Sequence, residues 1–128
     1  MDLVEILKRP EGKTLEFKRD LSVPEGALKT IVAFANTAGG TLLVGVEDRS
    51  RRVRGVPDPL DLEERLANLV SDWIRPRIVP EIEILPWRRT QVLALQVHPS
   101  STRPHHLTRE GPAGVYVRVG STNRRADA

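Results

Sequence analysis

The sequence predicts an α+β (mixed α/β) fold, a single twisted mixed sheet of about five to six strands with helices packed against it. Two segments carry helical periodicity with capping signals, and several shorter ones carry the alternation or continuous apolar character of strands. Helical and extended segments alternate through the first part of the chain and give way to a run of strands. That order belongs to helices layered on one sheet. At 128 residues and 39% hydrophobic content, the chain supplies one buried core, so residues 1–128 are expected to form a single domain.

In DLVEILKR, Leu3, Val4, Ile6 and Leu7 have helix-compatible spacing that Pro10 ends, which predicts one or two helical turns. TLEFKRD alternates: Leu15 and Phe17 are expected in the core, with Glu16 and Lys18 together on the solvent side of a strand. SVPEGALKTIVAFANTAGG reads as a capped helix. Ser22 and Glu25 have capping-box spacing, Pro24 falls in the first turn, and Gly39 and Gly40 close the C-terminus. Ala27, Leu28, Ile31, Ala35 and Ala38 form its expected buried face.

TLLVGVED, residues 41–48, is apolar enough for an inner strand covered on both faces, and RSRRVRGV reads as a turn and a short returning strand. Asp58 and Pro59 open a second helix, whose Leu62, Leu66, Leu69, Val70 and Trp73 fall on one face. EIEIL and QVLALQV are expected to pair antiparallel through a turn around Trp87–Thr90. A polar loop with Arg103, Pro104, His105 and His106 leads to GVYVRVGS, a strand with Val115, Val117 and Val119 on one face and Tyr116 and Arg118 on the other. STNRRADA reads as a helix start that does not continue, as expected of an N-terminal module in a longer chain.

Cysteine is absent, which excludes a disulfide framework, a thiolate nucleophile and a Cys-based zinc site. With no leader-like start and no apolar stretch of membrane-spanning length, a soluble, cytoplasmic protein without membrane partners is expected. The net charge of +3 is uneven: residues 1–72 hold 11 basic and 13 acidic side chains, residues 73–128 hold 9 and 4. Sixteen of the twenty basic residues are arginine, densest at Arg49, Arg51, Arg52 and Arg54, and arginine's planar fork suits phosphate. A polyanionic partner accounts for this, as does a compositional preference for arginine over lysine.

Three carboxylates invite chemistry. If the strands bearing Glu16 and Asp48 are neighbours, Glu11, Glu16 and Asp48 meet at one sheet end, where a divalent cation would relieve their repulsion and polarise a phosphodiester. The alternative is structural: Glu11 at the strand start, Glu16 paired with Lys18 or a cross-strand arginine, Asp48 in the turn. ANTAGG matches no phosphate-binding loop, and its glycines follow a helix C-terminus, where the dipole disfavours anions; a tight helix-to-strand turn is expected. His98, His105 and His106 show no catalytic spacing and suit loop packing or a phosphate hydrogen bond. Trp73, Trp87 and Tyr116 are too few for a stacking platform, so a nucleic acid would be held through phosphates and shape.

Taken together, EGKTLEFK, FANTAGGTLLVGVEDRSRRVRGV, and RPHHL leading to GVYVRVGST resemble the Schlafen AlbA-type domain. The resemblance runs from about Glu11 to Arg125. It implies a DNA-binding module of bacterial transcriptional regulators and RecG-like helicase-related proteins, with a basic face on nucleic acid. Lys18, Arg19, Arg49, Arg51, Arg52, Arg54 and Arg118 are its candidate contacts here. The resemblance also implies an alternative, a Schlafen-type endoribonuclease acting on structured RNA such as tRNA with Mg²⁺ or Mn²⁺. Glu11 and Glu16 then match the family's glutamates in E-x₄-E-F-K, and Asp48 stands for its aspartate as the catalytic and metal-binding set. This sequence has one copy of a module that the Schlafen core pairs in two lobes, and it lacks that core's zinc ligands; a homodimer would restore two lobes. A regulatory or protein-interaction domain without nucleic-acid affinity is the third expectation. Only the nuclease reading calls for a cofactor.

Overall fold

The computed structural model describes residues 1–126. In chain order these form α1 (Leu3–Leu7), β1 (Leu15–Lys18), α2 (Glu25–Asn36), β2 (Gly40–Val44), α3 (Pro59–Trp73), β3 (Ile74–Arg75) and β4 (Glu81–Trp87). β5 (Thr90–Val97), β6 (His106–Leu107), a 3₁₀ segment (Thr108–Gly114), β7 (Tyr116–Val119) and β8 (Thr122–Arg125) follow. The main sheet has the order β1-β2-β5-β4, with β1 and β2 parallel and the other pairs antiparallel. The mixed α/β class is as expected, but this sheet holds four strands rather than five or six. Val53 returns only as far as a single bridge to Val46, β7 pairs with β8 in a separate hairpin, and β3 pairs with β6.

Both faces of the sheet are covered, which is why β2 reads as an almost unbroken apolar run. On one face Leu42, Val44, Leu93 and Leu95 join a core with α2 and α3. On the other, Phe17, Leu43, Val92 and Ala94 pack with Leu3 and Ile6 of α1. Phe17 and Leu28 are fully buried, and at about 25 cal/mol per Å² of apolar surface each such side chain contributes roughly 2 kcal/mol.

The helix starts show what local chemistry decides. Asp2 accepts from the Val4 amide at 3.0 Å and Asp58 from the Asp61 amide at 3.2 Å, with Pro59 in the first position of α3. The capping box expected for α2 does not form. Ser22 instead gives both its hydroxyl (2.7 Å) and its amide (3.0 Å) to Asp20 in an Asx-type turn, and α2 starts later, behind Pro24. Its far end also comes earlier than expected: Ala38 is exposed, because the helix stops at Asn36. Gly39 makes the turn at φ 76°, and a β-carbon there would sit 2.6 Å from the Val97 carbonyl oxygen, so glycine is required.

Two C-terminal expectations change. Arg118, expected as a surface contact, is buried with Tyr116 on the inward face of β7, while Val119 is exposed. Residues 122–125 form a strand instead of starting a helix, since Gly120 at φ 57° turns the chain back antiparallel on β7. Asp127 and Ala128, the end of that stretch, lie outside the described residues. Among the described residues no helix is long and apolar enough to cross a membrane.

Candidate nucleic-acid interface and carboxylate cluster

The five-residue separation of Glu11 and Glu16 is the separation of a two-residue turn. Gly12 bridges antiparallel to Leu15, its amide donating to the Leu15 carbonyl at 3.1 Å, so Lys13 and Thr14 form the loop. The next opposed pair is Glu11 and Glu16. The parallel pairing of β1 with β2 then brings Asp48, four residues beyond β2, to the same region. Glu11 registers all of this: its pKa is raised first by burial, then by the charges of Glu16 and Asp48, while the Phe17 amide and Arg118 pull it down less strongly. Its Oε1 is buried without a hydrogen-bond partner among the described residues.

Glu16 does not face solvent, as the strand alternation had implied. It lies on the α2 side of the sheet under the β7–β8 hairpin. Its Oε1 accepts from Arg118 Nη2 at 2.8 Å and its Oε2 lies 3.3 Å from Lys18 Nζ. Arg118 is correspondingly internal, with 0% of its side chain exposed, and not the surface contact expected of it. Its planar fork donates to the Gly12 carbonyl (3.0 and 2.8 Å), the Leu15 carbonyl (3.2 Å) and Asn123 Oδ1 (2.9 Å). Asn123 in turn donates to Thr30 Oγ1 of α2 at 2.9 Å. One arginine thus ties the turn that opposes Glu11 and Glu16 to the hairpin and to the central helix.

As they stand, these carboxylates do not make a metal cage. Among the described residues no group of three or more His, Cys, Asp or Glu side chains has the geometry to hold an ion. Both oxygens of Glu16 are moreover engaged by Arg118 and Lys18. Glu11 retains the free oxygen.

The basic candidates separate by the same criterion. β1 and β2 both end where β5 begins and β4 finishes, so residues 18–19, 45–54 and 87–90 share one end of the sheet. Arg19, Arg49 and Arg52 are exposed there and form no ion pair among the described residues. Arg54 is exposed but bonded through Nε to Glu47 at 2.7 Å. Ser50 first, and Arg54 second, hold the Glu47 carboxyl below its ordinary pKa. Arg51 is half-buried, donating to the Leu7 carbonyl at 3.1 Å with its guanidinium 5.5 Å from the Phe17 ring centre. Lys18 is half-buried and paired with Glu16. Arg19, Arg49 and Arg52 therefore remain the free phosphate-seeking charges of the original set.

Sequence reasoning missed the role of Asn36, the last residue of α2. Its Oδ1 accepts from the His105 amide at 2.7 Å, and its Nδ2 donates to the carbonyls of His105 (3.0 Å) and Tyr116 (2.8 Å). The available signal was a polar residue closing an otherwise apolar helix face. His105 packs as expected of a loop residue: it is buried, with Nδ1 2.7 Å from the Pro76 carbonyl and Nε2 2.6 Å from Ser100 Oγ. Because a carbonyl only accepts, Nδ1 carries a proton.

The three segments singled out in the sequence are therefore one network, in which Asn36 of the second holds the third and Arg118 of the third clamps the first. The Schlafen, AlbA_2 family model matches residues 11–127. The chain belongs to this family. A solution NMR structure of the N-terminal domain of a RecG-related protein from Nitrosomonas europaea is similar at TM-score 0.73 and 26% identity, over 97% of this chain and 92% of that one. The DIP2311 protein from Corynebacterium diphtheriae shares the fold at TM-score 0.70 and 23% identity, over 90% of this chain and 25% of that one. The AlbA_2 domain here thus matches nearly the whole of one solved domain and one quarter of a longer protein.

Proposed function

We propose that this AlbA_2 domain is a nucleic-acid-binding module, working within a transcriptional regulator or helicase-related protein, that grips phosphates at the shared end of β1, β2 and β5. The observation that carries this reading is the set of exposed arginines Arg19, Arg49 and Arg52, outside any ion pair among the described residues, gathered there by the strand order. Family membership and the RecG-related neighbour support it. Guanidinium groups held on short turns present forked donors to a phosphodiester backbone, and the counterions they displace make such binding sensitive to salt. Native-gel retention of labelled tRNA, single-stranded DNA and duplex DNA tests this. Retention should weaken steeply as salt rises, and further in Arg49→Ala/Arg52→Ala. Absence of retention at low salt would leave a regulatory or protein-interaction domain.

A second reading, a metal-dependent endoribonuclease, is favoured by one observation: the buried Glu11 Oε1 has no partner among the described residues and lies in the fields of Glu16 and Asp48. The engagement of Glu16 by Arg118 weighs against it. Incubating the tRNA samples with Mn²⁺, Mg²⁺ or EDTA decides the matter. Metal-dependent cleavage lost in Glu11→Gln would make the domain an enzyme, whereas intact RNA leaves it a binder.

A further inference from the structure

A cleft of about 630 Å³ opens between the 47–53 turn and the tip of the β4–β5 hairpin. It is lined by Leu7, Val53 and the half-buried Trp87, by the half-buried Arg51, and by the exposed Arg52, Arg88 and Arg89. Among the described residues no carboxylate lines it. The Arg88 guanidinium lies 5.3 Å from the Trp87 ring centre, so cation and aromatic face are presented together.

The backbone adds an independent observation. Among the described residues only two non-glycine residues have positive φ, Arg51 at 58° and Arg88 at 52°, and both line this cleft. Arg88 begins the two-residue loop between Trp87 and Thr90, a position where glycine is the usual choice at positive φ. A side chain there is strained, and such strain gathers where a side chain serves a ligand. An arginine bias in composition explains neither the backbone conformation nor the coincidence of both residues at one cleft.

We propose that this cleft holds an unpaired nucleotide of a bound strand, its base against Trp87 and Val53 and its phosphates on Arg52, Arg88 and Arg89. The proposal rests on the nucleic-acid reading above and gives it a single-strand preference. A duplex hides its bases, while a single strand offers both a stacking face and a phosphate. A free nucleotide carries the same two groups, and the experiment separates these sources.

A Trp73→Phe background leaves Trp87 as the sole tryptophan of the two in the chain. Its emission is followed during titration with oligothymidylate, thymidine monophosphate, duplex DNA and inorganic phosphate, alongside gel retention. The oligonucleotide should change the emission saturably, with duplex and phosphate inert. Arg88→Gly/Arg89→Ala should weaken oligonucleotide binding about tenfold or more. Arg88→Gly alone should melt at or above the parent temperature, so lost binding is not lost folding. Equal retention by parent and double variant, with Trp87 emission unmoved, overturns the cleft while leaving the nucleic-acid reading intact. Absence of all retention at low salt overturns both. Monophosphate binding as tight as the oligonucleotide, or equal competition by duplex, overturns the claim of an unpaired strand.

Discussion

At the scale of single residues, buried charge decides most. Arg118 and Glu16 form an ion pair inside the protein, where the attraction largely offsets the desolvation of both groups and removal of one partner strands the other. Arg118→Met is expected to destabilise the fold by about 3–5 kcal/mol in urea denaturation. Arg118→Lys should recover little, because an ammonium cannot satisfy the four acceptors that the fork reaches. Glu11 gives a pH signature of unusual sign. Burial and its two carboxylate neighbours raise its pKa, so the folded state holds its proton more tightly than the unfolded chain does. The stability it contributes is present below the unfolded value and is lost as pH rises through the folded one. Glu11→Gln should therefore be more stable than the parent at pH 7, and the difference should close below about pH 4, where Glu11 is protonated in both states. Asp20, Glu47 and Glu110, whose pKa values are lowered, contribute in the opposite sense, so the comparison must be between variant and parent at each pH. A difference that grew in acid would remove Glu11 from the cluster.

At the scale of elements, the segment after β5 is held chiefly by side chains, to α2 and to β1, rather than by strand pairing with the main sheet. Asn36 is the central one, with three hydrogen bonds to the backbone at His105 and Tyr116. Asn36→Ala should cost about 2 kcal/mol or more in denaturant midpoint, since it leaves buried backbone groups unpaired. Hydrogen exchange at the His105 amide should accelerate by more than that of β2. These long-range ties also mark the limit of what the sequence discloses. The α3 cap at Asp58, the inner strand β2, the β4–β5 hairpin and the helix-stopping role of Gly39 are legible because caps, periodicity and turn residues act over a few positions. The start of α2 is misread because Asp20 and Glu25 compete for Ser22 with equally plausible local chemistry. Arg118 is misread as a surface contact because it is buried by contacts with Gly12, Leu15 and Glu16, over a hundred residues away. The candidate site divides likewise: Glu11, Glu16 and Asp48 can be singled out from their positions, whereas the turn that opposes the glutamates emerges only in the structure, and which arginines stay free depends on partners such as Glu47 and the Leu7 carbonyl.

At the scale of the whole molecule, both faces of the sheet are buried under helices, so a large ligand has only edges and ends to approach. The end bearing residues 18–19, 45–54 and 87–90 presents five exposed arginines outside any ion pair among the described residues: Arg19, Arg49, Arg52, Arg88 and Arg89. A net charge of +3 spread evenly would attract a polyanion only weakly, and it is this concentration at one end that makes a binding face. The count sets a measurable quantity. Five phosphate contacts to a single strand imply a log–log salt slope of about −3.5, at roughly 0.7 counterions released per phosphate, or about a hundredfold loss of affinity between 50 and 200 mM salt. Arg49→Ala/Arg52→Ala should flatten the slope by about 1.4, and Arg88→Gly/Arg89→Ala by a similar amount, because each arginine removes one phosphate contact. A slope unchanged in both double variants would move the binding face elsewhere on the molecule. Flattening in the first pair alone would confine it to the 47–54 turn and detach the hairpin tip from it.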